Sequence, residues 1–162
     1  MRTVLRDALR GAVAGAAATW AMDQVTTLLY LVQAEDVTAQ EEAAQPNGKS
    51  SVANLIDRIE ARTGVRVPAK GRPLVEQAVH YSLGVLPGAL YGVIRRWIPA
   101  ARARSGVVYG LALFAANDEY LNTRLGLAGP PAAYPAETHF RGFAGHAVLG
   151  AATETGIQLL GG

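Results

Sequence analysis

Four ionisable residues fall inside otherwise apolar stretches of the chain: Asp23, His80, Asp118 and His146. Two imidazoles and two carboxylates are the usual ligands of a divalent metal such as zinc or manganese. The same four groups could exchange protons as a coupled set. Asn117, Glu119 and Asn122 lie beside Asp118 in the sequence and extend the candidate cluster. A b-type haem held between His80 and His146 is a third chemistry, with Gly84, Gly142 and Gly150 leaving room for the ring. No helix carries a local ligand motif, because His139 and His146 are separated by ~10 Å of helical rise. Any such site must be assembled from several elements.

The elements that would assemble it are apolar helices. Half of the 162 residues are hydrophobic and 17% are charged, below the ~25% of an average soluble chain. Four apolar segments, at about residues 8–32, 74–97, 105–125 and 138–160, each approach the ~20 residues that cross a bilayer. Glycines recur four apart at Gly11 and Gly15, at Gly84, Gly88 and Gly92, and at Gly106 and Gly110. In lipid such spacing lets backbones approach closely. The reading is all-α: one membrane domain, a four-helix transmembrane bundle over residues 1–162. The apolar run that begins the chain is too long for a signal-peptide core and is expected to be retained as the first span.

The outer connection, residues 33–73, carries an acidic helix-permissive stretch, then the turn Pro46-Asn47-Gly48. Ser50 or Ser51 is placed to cap an amphipathic helix with Val52, Leu55, Ile56 and Ile59 on one face, ending at Gly64. That extramembrane helix is expected to lie on the outer surface or to cap the bundle. Pro87 predicts a kink in the second span. Arg2, Arg6 and Arg10 at the start, with Arg95, Arg96, Arg102 and Arg104 between spans two and three, place both termini in the cytoplasm.

With that topology the depths of the polar residues can be compared. At 1.5 Å per residue, Asp23, His80, Asp118 and His146 lie about 13, 9, 10 and 12 Å below the outer boundary. Each also shares a side of its helix with small residues, the side expected to face other helices. Glu154 stands ~12 Å deeper than His146, where it forms a secondary cytoplasmic-side site with Arg10 or an arginine of the 95–104 connection. His139 belongs at the outer surface.

Several function classes are excluded. The chain has no cysteine, so disulfides, thiolate metal sites and cysteine nucleophiles are absent. There is no nucleophile elbow, no HExxH and no glycine-rich phosphate loop. The arginine cluster reads as a topology determinant, and no nucleic-acid partner is expected.

His80 leads a Gly/Tyr-containing helix that stops at Pro99; the Pro130-Pro131 turn follows, then Gly145-His146 with Glu154 eight residues later. This pattern, over roughly residues 75–158, resembles the YagU-like family of small bacterial inner-membrane proteins. The resemblance implies a multi-span inner-membrane protein and singles out His80, His146 and Glu154, without bringing a reaction. The leading expectation is a membrane protein whose His/carboxylate cluster binds or moves a proton or divalent cation. The alternative is a structural or assembly subunit, packed through its glycine faces into a homo-oligomer or a larger complex. An enzyme with a metal or haem centre ranks third.

Overall fold

The computed structural model describes residues 2–102 and 104–162. Arg2, counted among the N-terminal arginines, and Pro99 of the family pattern lie outside the described side chains. Among the described residues the protein is all-helical, without a strand. Its helices are α1 (Arg2–Leu31), α2 (Glu35–Ala44), α3 (Ser51–Thr63), α4 (Arg72–Ile94), α5 (Val107–Leu113) and α6 (Ala136–Leu159). Beyond α5 the chain stays helical, first as a π-helical turn, Phe114–Leu121, and then as Asn122–Arg124.

Helix α1 is the centre of the bundle, packed on α4 at one side and α6 at the other, and α5 packs on α6. Tyr91 of α4 stacks on Tyr109 of α5, with ring centres 4.1 Å apart and planes 19° from parallel, which joins the remaining pair. Glycine permits this closeness. A Cβ on Gly11 would sit 2.1 Å from the Gly88 carbonyl oxygen, and one on Gly110 would sit 1.9 Å from that of His146. No side chain fits either gap, so at these points the helices pack backbone against backbone. Thr19, fully covered at the α1–α4 crossing, returns its hydroxyl to Gly15 O at 2.8 Å and leaves no buried donor unmatched.

The helices fall close to the apolar segments, but four self-sufficient spans are not found: no described helix is long and apolar enough to cross a membrane. Glycine, threonine and the ionisable residues within each helix lower its hydropathy. The outer surfaces are nevertheless apolar. Leu5, Leu9, Val13, Trp20 and Leu28 of α1, Leu83, Leu86 and Leu90 of α4, and Phe140 and Phe143 of α6 are all exposed. Helix α4 runs through Pro87 without a break.

The 33–73 connection is more structured than its length implies. Ser50 caps α3 by accepting from the Ala53 N–H at 3.2 Å, and Gly64 ends it in the left-handed region at φ +74°. The covered face of α3 differs from the apolar stripe: Ala53, Asn54 and Ile56 are buried, whereas Ile59 is 48% exposed. Asn54 takes that place because its amide bonds Pro46 O at 3.0 Å and Leu127 O at 3.1 Å, tying α3 to two loops. Arg72, at the start of α4, holds α3 from the other side through Asp57 at 2.6 Å and Glu60 at 3.2 Å.

Candidate functional site

Two cavities adjoin beside α3, the inner one where α1, α4, α5 and α6 meet and the outer one between α1, α2, the π-helical turn and the start of α6. The inner one, about 270 Å³, is lined by His80, Asn117, Asp118, Asn122 and His146, with Thr19 and Met22 of α1 and Val52 of α3. The outer one, about 330 Å³, is lined by Glu41, Glu119, His139 and Arg141. Ser51, Met22, Asp118 and Asn122 line both, so Asp118 stands on a wall that the cavities share.

Asp23 does not line the inner cavity, but its Oδ1 lies 2.8 Å from His80 Nε2. With the carboxylate ionised, Nε2 carries the proton and Nδ1 the lone pair. His146 Nδ1 lies 3.0 Å from Gly142 O. A carbonyl only accepts, so Nδ1 is the donor and Nε2 is the basic nitrogen. The carboxylate of Asp118 stands 3.7 Å from His146 Nδ1, at ion-pair distance, and accepts from Asn117 Nδ2 at 2.8 Å. Each histidine is thus fixed in one tautomer by its partner, and each keeps one nitrogen able to take a proton.

Two placements differ from the sequence reading. Glu119, expected with His80 and His146, turns to the outer cavity, where its Oε1 is 2.7 Å from His139 Nδ1. The four-residue metal set is not assembled either. Asp23 is taken up by His80 and Asp118 by Asn117, and among the described residues no group of three His, Asp or Glu is placed to hold a metal ion.

His139 itself is part of the chemistry. Its Nε2 lies 3.0 Å from Pro131 O and must donate there. The contact at Nδ1 then needs a second proton, carried on either the imidazole or Glu119, so the pair holds one proton between two sites. Nothing in the sequence around His139 pointed to this; the proline turn at 130–131 supplies the carbonyl that fixes the ring.

The π-helical turn explains how Asn117, Asp118 and Glu119 are distributed between two cavities. An α-helix advances 100° per residue, and a wider turn changes which side each of these consecutive residues meets. Such turns occur often at functional sites.

The outer cavity is braced by Glu41, only 8% exposed. Burial opposes its ionisation, but the hydrogen bonds from Arg141 and Gln33, the charge of Arg141 and a bond from Thr138 outweigh it, and its pKa is held below the ordinary glutamate value. Gln33 Nε2 and Thr138 Oγ1 reach Glu41 Oε2 at 3.2 and 3.0 Å, and Arg141 bonds both Glu41 and Gln33. An acidic residue in a polar connection gave no sign that it would be buried.

Glu154 is placed at the opposite end with Arg95 and Arg102, its Oε1 3.5 Å from Arg102 Nε. Tyr91 and Gln158 also donate to it, at 2.6 and 2.8 Å. Arg10 turns instead towards Asp7, at 3.8 Å. Every Glu154 oxygen is engaged, which marks it as a structural node.

Compared with protein-family models, with curated proteins and with solved structures, the chain matches none.

Proposed function

We propose that this protein is a membrane-embedded helical bundle that takes up and passes on protons through the two linked cavities. The observation that carries the reading is the convergence of His80, paired with Asp23, and of His146 and Asp118 on one cavity, each histidine with one basic nitrogen. A proton entering from outside meets the shared Glu119–His139 pair, then Asp118 in the common wall, then His146 and His80. Proton exchange is favoured over metal binding because the carboxylates are already engaged pairwise and no three ligands converge among the described residues.

The membrane setting is supported by the exposed apolar side chains carried by α1, α4 and α6. It is supported too by glycine-mediated helix contacts. The arginine-rich end, where the start of α1 and the end of α6 meet, then faces the cytoplasm. The bacterial inner membrane and the YagU-like family are proposed on the residues that carry the resemblance, His80, His146 and Glu154. The competing assembly-subunit reading relied on glycine faces, and the α1 and α4 glycines among them are already packed against each other within the chain.

The test is proton flux into vesicles reconstituted with the purified protein, followed with an internal pH dye under an imposed potential. His80→Ala combined with His146→Ala is expected to abolish the flux, and Asp118→Asn to lower it about tenfold or more. Unchanged flux in the folded variants would overturn the proton role. Recovery of the protein in the soluble fraction without detergent would overturn the membrane setting.

A further inference from the structure

At the far end of the bundle from the two histidine cavities lies a third cavity of about 260 Å³, lined by Arg6, Arg10, Arg95, Arg96 and Arg102, with Asp7 as the one acidic side chain on its wall. Asp7 lines the cavity and Glu154 stands behind Arg95, and how these two carboxylates are shared decides which arginines are left over. Glu154 is saturated by Arg95, Tyr91 and Gln158. Asp7 gives its Oδ2 to Arg96 at 2.9 Å, and only a 3.8 Å approach is left for Arg10.

Two arginines therefore remain under-used. Arg10 has a side chain only 17% exposed, yet it makes no hydrogen bond among the described residues. Arg6, on the same wall, makes neither a hydrogen bond nor an ion pair among them. Arg10, largely covered, has only the long contact with Asp7, while Arg6 is exposed beside it, and the fixed fork of N–H donors on each guanidinium matches a phosphate group in two-point contact. The surroundings are those of a headgroup layer: Leu5 and Leu9 are exposed just along α1, and Trp97 is 62% exposed with Arg96 5.3 Å from its ring centre.

From these contacts we infer that the arginine-lined cavity between the start of α1, the end of α4 and the end of α6 binds a phosphate group, with Arg6 and Arg10 as the residues that grip it. The group is a dianionic phosphate with at most one ester bond, carried either by an anionic lipid headgroup or as free phosphate. This site stands apart from the proton reading and does not depend on it.

The experiment is thermal unfolding of the full chain in uncharged detergent, titrated separately with inorganic phosphate, short-chain phosphatidic acid and short-chain phosphatidylcholine. Ligand that binds the native state raises the midpoint in proportion to its occupancy. Stabilisation by inorganic phosphate as well as phosphatidic acid identifies the free group as sufficient; stabilisation by phosphatidic acid alone identifies the lipid as the source. Phosphatidylcholine is expected to give no shift. Arg6→Ala with Arg10→Ala is expected to weaken binding about tenfold or more and to leave the unliganded protein folded, because neither side chain holds a strong internal partner. Asp7→Asn, which removes the competing carboxylate, is expected to tighten it. No shift with either phosphate compound, or equal shifts in wild type and the folded double variant, overturns the inference.

Discussion

Arg95 and Glu154 meet as a two-point pair, Nε to Oε2 at 2.8 Å and Nη2 to Oε1 at 2.5 Å, with Glu154 only 1% exposed. The pair links α4 to α6 across the bundle. Removing one partner leaves a buried charge uncompensated, which costs about 3–5 kcal/mol. Glu154→Leu or Arg95→Met alone is expected to lower the unfolding midpoint in detergent sharply. The double replacement is expected to recover much of the loss, since a buried pair and a well-packed apolar pair are often similar in stability. A double variant as unstable as the singles would show that Tyr91, not the charge pair, carries the node.

The α5–α6 contact makes a second prediction. A Cβ at Gly110 would overlap the His146 carbonyl oxygen at 1.9 Å and the Gly150 nitrogen at 2.9 Å. Both neighbours are backbone and cannot swing aside. Gly110→Ala is expected to cost about 1–3 kcal/mol as overpacking, and to move His146 relative to Asp118. Thermal unfolding reads the first effect; the imidazole NMR shifts of His146 read the second. The same change at Gly48, which has open space around its Cβ position, is expected to disturb His146 not at all, although its positive φ strains the local turn.

Glu41 gives the protein a defined acid limit. Its pKa is lowered in the folded state, so its contribution is fully present above the unfolded glutamate value, near 4.3, and is lost as pH falls through the lower folded value. Stability followed between neutral pH and about pH 3 is therefore expected to decline more steeply in the wild type than in Glu41→Gln. Equal slopes would place the acid sensitivity elsewhere.

Arg72 anchors the cap. It bonds Asp57, Glu60 and the Ala53 carbonyl of α3, which pin α3 over the inner cavity, and is itself held by Glu76 one turn along α4. Arg72→Ala is expected to speed amide hydrogen exchange in α3 about tenfold, with little change in α1. Parallel acceleration in both helices would mean that the cap and the bundle open as one unit.

How much of this was legible in the sequence follows from the range of the forces involved. The apolar segments and the caps at Ser50 and Gly64 are local signals, and helices stand close to where those signals placed them. The meeting of His80 with Asp23 followed from depth and facing alone, because straight helices preserve both. Glu119 was misplaced because a π-helical turn is a property of the backbone ladder and has no residue signature. Glu41 was missed because its burial depends on Arg141, one hundred residues away. The expectation of four full spans weighed length and glycine spacing and gave too little to the polar residues that reduce each helix's hydropathy.

The turn at Phe114–Leu121 has one more consequence. A π-helical turn is what remains when a residue is inserted into an α-helix whose two ends cannot move. Deleting one residue there, Ala116 for instance, lets the ladder close as ordinary α-helix while both flanks keep their seats, Gly110 against α6 and Glu119 against His139. The bulge is the place where this helix can gain or lose a residue without disturbing the surfaces on either side.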